Sequence, residues 1–286
     1  MGLSAVIAGS RKNRTPDKPN EDTYAVHLDQ QETVLVVADG VTRSRGASGV
    51  YPQPSGAAIA ANLVARHLAV TLRDAGSGDD VTAAFVGANR AVGAANDRNG
   101  VWDSLDYGEH DLWGAVATAV IVRGNVARWG HIGDCALFHL PAGGGLAVLT
   151  PDQVSDASAR LARLPAAELA AAGGRERYAR QRLRNHPQTP HSYGVLTGER
   201  EAEHYVLTGE FLVSPGDQLA LCSDGLSSLQ HGDDGNGGWR RLEPWLRGNT
   251  AAADVARLLD AAEAADERLQ ARSDDKTVIL ASLVLW

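Results

Sequence analysis

Apolar residues cluster along this chain in short runs at positions 5–8, 23–27, 33–38, 117–122, 126–132, 136–139, 204–207, 218–222 and 277–285. Runs this short and rich in Val, Ile and Leu predict β-strands. The pair 117–122 and 126–132 is joined by Arg123-Gly124-Asn125, a tight glycine turn that predicts an antiparallel hairpin. Three longer segments carry helical spacing instead. Residues 56–73 bring Ile59, Leu63, Leu68 and Leu72 to one face, 81–96 bring Phe85, Val86 and Val92, and 251–269 bring Val255, Leu258, Leu259 and Ala262. Antiparallel groups of strands with helices between and after them indicate an α+β architecture in which helices cover the sheets. The pattern weakens between Thr150 and Tyr205. Residues 155–184, rich in Ala, Arg and Leu, read as helical, and 185–198, with Pro187 and Pro190, read as loop. Without repeat or linker the chain reads as a single domain, 1–286, with a lid or specificity insertion at about 150–205.

The ends of the apolar runs carry the chemistry. VLVVADG stops at Asp39-Gly40 and LALCSDG stops at Asp224-Gly225. Asp-Gly is a favoured turn pair, and each taken singly reads as a turn. Together they join a larger pattern: Glu21-Asp22 opens the run 23–27, Asp134 follows 126–132, and Asp274-Asp275 precedes the last run. Carboxylates gathered from five strand ends would repel one another unless cations lay among them. An all-oxygen donor set selects Mg²⁺ or Mn²⁺, and no His/Cys cluster of zinc spacing is present. Two such ions, roughly 3.5–4 Å apart, can share and acidify a water and clamp the oxygens of a phosphoryl group. The chemistry suggested is metal-assisted hydrolysis of a phosphate ester.

Composition narrows the partners. The 286 residues are 44% hydrophobic, enough for a sizeable core, and a net charge of -8 argues against a general nucleic-acid or anionic-membrane surface. Only Lys12, Lys18 and Lys276 are lysines, so most cationic contacts fall to arginine. Cys135 and Cys222 lie inside apolar runs without a disulfide or CxxC pattern, and no segment has the length of a signal peptide or a membrane span. A soluble, cytoplasmic protein is the expectation, with its oligomeric state open.

The motifs NEDTYAV, VVADGV, GAVATAVIV followed by VARWGHIGDCALFHL, LCSDGL and DDKTVIL resemble, in wording and order, the metal-dependent protein phosphatases of the protein phosphatase 2C type. The resemblance runs from about Ala5 to Leu285 and is closest to a divergent bacterial branch. It implies a sandwich of two antiparallel sheets flanked by helices, a four-layer αββα arrangement, with two and possibly three Mg²⁺ or Mn²⁺ ions at one end. Carried over by position, it implies that Asp39 bridges two metals, that the Gly40 carbonyl binds one, and that Asp224 and Asp274 hold the other. Glu21 and Asp22 would orient or ligate through metal-bound waters, Asp134 would help bind a third ion, and Asp275 would support from behind. The nucleophile would be metal-bound water, leaving Cys222 as a packed thiol.

The sequence also departs from the family. An Arg that grips the substrate phosphate is often found where this chain has Asp17. Arg14 and Lys18 are the nearby replacements, and Arg43 and Arg45 could grip from the other side. Val41 stands where some eukaryotic members carry a His proposed as general acid. His131, three residues before Asp134, reads either as a structural histidine or as a proton-transfer and substrate-contact group. His186 and His191 lie in the insertion, and Trp102, Trp113 and Trp129 read as packing around the central hairpin. Three functions follow: a phosphoserine or phosphothreonine protein phosphatase, a phosphatase of a small phosphorylated metabolite, or a silent binding module. Retention of the acidic set argues against the third.

Overall fold

The computed structural model describes residues 2–29, 31–41, 50–75, 81–231, 238–248, 251–271 and 273–284. In chain order the elements are β1 (Gly2–Arg11), β2 (Asp22–Leu28), β3 (Glu32–Gly40), α1 (Gly56–Asp74), α2 (Val81–Arg98), β4 (Ala115–Arg123), β5 (Val126–Ile132), β6 (Ala136–Leu140) and β7 (Ala147–Val148). There follow α3 (Ser155–Arg163), α4 (Ala166–Ala171), α5 (Arg175–Arg182), β8 (Leu207–Leu212), β9 (Gln218–Cys222), α6 (Glu243–Leu246), α7 (Ala252–Leu269) and β10 (Lys276–Val284). Two antiparallel five-stranded sheets form, ordered β2-β3-β4-β5-β8 and β1-β10-β9-β6-β7.

The two-residue period of a strand decides what each side chain meets. In β3, Val34, Val36 and Ala38 pack towards α1 and α2, while Leu35 and Val37 pack against Leu221, Ile279 and Ala281 of the other sheet. Because both faces are covered, β3 is a continuous apolar run rather than an alternating one. In β10, Ile279, Ala281 and Leu283 face the opposite sheet, whereas Val278 and Leu280 pack with Val255, Leu258 and Leu259 of α7. The layers therefore run helix, sheet, sheet, helix, which is the predicted αββα arrangement.

Three sequence expectations shift. The core face of α1 is built from Ala57, Ala58, Ala60, Ala61, Val64, Ala65, Leu68 and Leu72, with Ile59 and Leu63 only half-buried. Small residues let this helix lie close to β3. The run 204–207 is not a strand of its own: Arg200–Tyr205 forms a 3-10 turn, and the strand that joins β5 begins at Leu207. Helix in 155–184 is broken into three by Pro165 and by Gly173-Gly174, both with positive φ.

The segment 150–205 is fastened at its base. Arg184 makes a two-point contact with Asp111 at 2.8 and 2.9 Å, and Arg180 Nε lies 3.0 Å from the same carboxylate. All three residues are buried. Asn185 ties down Val195 through both ends of its amide, and Leu196 exchanges backbone hydrogen bonds with Ala115 of β4. Removing the shared carboxylate would leave two buried guanidinium groups without their main partner. Asp111→Ala is expected to cost about 3–5 kcal/mol in chemical denaturation. Asp260→Ala, which breaks the surface pair with Arg11, is expected to cost less than about 1 kcal/mol.

Candidate active site

One end of the sandwich collects the acidic strand tips. Asp22 opens β2 directly across from Asp39 near the end of β3, and Asp134 follows β5 at the same end, since Ala38, Ala117 and Ile132 stand in line across the sheet. From the other sheet, Asp224 follows β9 and Asp274 precedes β10, where Cys222 and Val278 pair. Asp39 shares the parity of Leu35 and Val37 and so emerges between the sheets.

Asp39, Asp134, Asp224, Asp274, Glu21 and Gly40 line a cavity of about 470 Å³. Val41, Tyr193, Val195, Trp239, Gln230, Ser155 and Ser158 are also in its wall, so the segment 150–205 borders the site. Asp152 also lines it and was not singled out in the sequence. It caps the start of α3 by accepting from the backbone N–H groups of Val154 and Ser155, and an Asp just before a helical run is the signal that could have found it.

Burial, then repulsion from Asp22, Asp224, Asp274 and Asp134, pushes the Asp39 carboxyl well above the ordinary range. Asp134 is raised in the same sense by burial and by Asp224 and Asp152. Asp22 is pushed up to about 7, by burial first, against the bond it receives from Ser223 Oγ at 2.6 Å. Asp22 stands behind the lining, braced by that hydroxyl, which sets it one step back from direct contact with the cavity. Glu21 accepts from Ser55 Oγ at 2.6 Å, and the same Ser55 oxygen caps α1 by accepting from Ala58 N. The start of α1 is thus tied to the site.

Among the described residues, Lys18 is the one cationic side chain lining the cavity. Its ammonium lies 3.0 Å from Glu21, 3.3 Å from Asp274 and 3.4 Å from Asp275. Burial alone would lower its pKa, but these three carboxylates raise it above the ordinary lysine value. Asp275 is turned inward, accepting from the Asn13 and Glu21 backbone N–H groups and from the Asn13 amide.

One ammonium does not balance this set of carboxylates. Oxygen donors alone, with Asp39 and Asp134 raised by burial and then by their acidic neighbours, fit hard divalent cations such as Mg²⁺ or Mn²⁺. No three of the five aspartates bring oxygens within 4.8 Å of one another. Among the described residues only His27, Asp29 and Glu32, at the surface end of the β2 and β3 hairpin, do so. The aspartates are thus not drawn together as a single-ion cage, a spacing suited to ions that keep part of their water shell.

Arg14 does not take the substrate contact proposed for it, and His131 takes the structural one of its two readings. Arg14 turns away to Glu263 and Glu267 of α7, where its guanidinium is committed to surface ion pairs. His131 is fully buried, with Nδ1 2.8 Å from Thr118 Oγ1 and Nε2 2.8 Å from the Pro151 carbonyl. Burial lowers it to about 4, so it is neutral, donates from Nε2, and is a structural histidine without access to substrate. Arg43 and Arg45 lie outside the described residues.

The fold is shared with known phosphatases. The Mycobacterium tuberculosis serine/threonine phosphatase PstP/Ppp aligns over 100% of both chains with TM-score 0.66 and 23% identity. The PstP catalytic domain in complex with two manganese ions aligns over 98% of both with TM-score 0.64 and 22% identity. RsbX in complex with magnesium aligns over 97% of this chain and 94% of its own with TM-score 0.56 and 13% identity. Among curated proteins none matches the sequence significantly. The family model for protein phosphatase 2C matches residues 10–260, most of the chain. This chain therefore belongs to the protein phosphatase 2C family, the metal-dependent phosphatases that hydrolyse phosphoric monoesters.

Proposed function

We propose that the chain removes phosphate from phosphoserine or phosphothreonine in proteins, in the cytoplasm, using water activated at a centre of two Mg²⁺ or Mn²⁺ ions. The observation that carries this reading is the convergence of Asp39, Asp134, Asp224 and Asp274, drawn from both sheets, on one cavity. Asp39, the Gly40 carbonyl, Asp224 and Asp274 would hold the two ions, and Asp134 with Asp152 would favour a third. When bound, the ions acidify a shared water and neutralise charge building on the phosphoryl oxygens.

The chain's own residues supply the rest. Asp22, raised towards neutrality and tied to Ser223, keeps the Asp39 side of the site in register. Lys18, held among Glu21, Asp274 and Asp275, offers a positive charge to a phosphoryl oxygen where the usual arginine is replaced by Asp17. His131 is enclosed and Val41 cannot transfer a proton, so the leaving alkoxide would take its proton from water or from another residue of the site. Tyr193 and Trp239, with Val41 and Val195, belong to the apolar part of the wall against which the residues flanking the phosphate would lie.

The test is hydrolysis of a chromogenic phosphomonoester with Mn²⁺, Mg²⁺ or chelator, followed by phosphopeptides beside a panel of phosphorylated metabolites. Expected is metal-dependent turnover at least about 100-fold above the chelated protein, a difference of about 2.7 kcal/mol. Turnover that ignores metal would sink the mechanism. A strong preference for one metabolite over every phosphopeptide would replace the protein substrate with a small molecule.

A further inference from the structure

Behind the cavity lies a charged group that the proposed reaction does not use. Lys276 has no exposed surface, and its Nζ donates to Asp266 Oδ2 at 2.6 Å and to the Asp274 carbonyl at 2.9 Å. Asp266, 4% exposed on α7, accepts from Ser228 Oγ through its other oxygen. Ser228 sits in the turn Asp224–Gln230 that Asp224 opens. None of the three lines the cavity. Together they connect the start of β10, just after Asp274, to the turn that carries Asp224.

The position does not ask for a lysine on packing grounds. By strand parity, Lys276 continues the row of Val278 and Leu280, which face α7, and an apolar side chain there would pack without the cost of desolvating an ammonium and a carboxylate. An apolar chain could not hold the Asp274 carbonyl or, through Asp266, reach Ser228. A buried pair of this kind is better explained by the arrangement it fixes than by the stability it adds.

We infer that Lys276, with Asp266 and Ser228, positions Asp224 and Asp274 relative to each other for the divalent cation they would share, and so sets the affinity of that ion. The inference rests on the two-ion reading of the site. It makes Lys276 a positioning residue, since it reaches neither the cavity nor the substrate.

The experiment is Mn²⁺ binding to the full chain by isothermal titration calorimetry, with thermal melts as a check on folding. Lys276→Met/Asp266→Asn removes both charges and leaves no buried carboxylate unpaired. Ser228→Ala cuts only the link to the Asp224 turn. Expected is a folded double variant in which one Mn²⁺ is bound about tenfold more weakly, the other unchanged, and a loss of about threefold in Ser228→Ala. Wild-type affinity for both ions in the folded double variant would overturn the inference alone. Should the double variant not fold, unchanged binding by Ser228→Ala overturns it equally. Wild-type protein that binds no Mn²⁺ would overturn the two-ion reading, and this inference with it.

Discussion

Asp39→Asn is expected to lower metal-dependent phosphoester hydrolysis on the order of 10³-fold, about 4 kcal/mol of transition-state stabilisation, while raising the thermal midpoint of the chelator-treated protein. The two effects share one cause. Asp39 lies where repulsion from Asp22, Asp224, Asp274 and Asp134 adds to the cost of burial. Asparagine keeps the shape, removes the repulsion, and removes the charge that would hold the ions. Proton linkage gives the same protein a second signature. Carboxylates whose folded pKa is raised bind more protons folded than unfolded between their two pKa values, so stability falls as pH rises through that window. For Asp22 the window runs from the ordinary aspartate range to about 7, and Asp39 and Asp134 are displaced in the same direction. Chelator-treated wild type should therefore melt higher at pH 5 than at pH 8. Mn²⁺ competes with those protons and should reverse the order. A variant that loses activity without gaining metal-free stability would mean that the carboxylates are not crowded as the geometry indicates.

The central strands β3, β4, β6, β9 and β10 were legible because they are largely buried on both faces and read as short apolar runs. The 204–207 stretch failed for the opposite reason: its first residues belong to the 3-10 turn Arg200–Tyr205, and the strand that forms at Leu207–Leu212 has exposed Leu207 and Leu212 on a sheet edge. Strand ends with carboxylates pointed to the site because charge at the tip of a buried run is costly unless it has work to do. What could not be read was direction. Arg14 and Lys18 are four residues apart in one loop, yet one turns to α7 and the other into the cavity. His131 has the spacing of a site residue, but strand parity and a partner 20 residues on, Pro151, turn it inward. The hydroxyls of Ser55 and Ser223, which orient Glu21 and Asp22, are tertiary contacts of types too common to stand out in a sequence.

Gly225→Ala is expected to cut turnover on the order of 10²-fold and to destabilise the fold by about 1–3 kcal/mol, because a single methyl would displace the Asp224 turn. The Asp-Gly pairs look like turn signals, but neither Gly40 nor Gly225 has a positive φ. Their glycines are required by close approach. A Cβ on Gly225 would sit 1.9 Å from the Asp275 carbonyl oxygen and 3.0 Å from Lys276 Cγ, and one on Gly40 would sit 2.5 Å from the Ala57 carbonyl oxygen. In each pair the glycine lets the backbone beside the aspartate press against the neighbouring element: α1 for Asp39, the strand entry beyond Asp274 for Asp224. Backbone on both sides of the Gly225 contact leaves no flexible side chain to yield, so the turn itself must move. Gly124→Ala supplies the comparison. Its glycine has φ +58 in open space, so alanine there should cost about 1 kcal/mol in denaturation and leave turnover unchanged. Gly225→Ala with full activity would show that the two aspartate-bearing segments have slack between them, and that their spacing is not fixed by backbone contact.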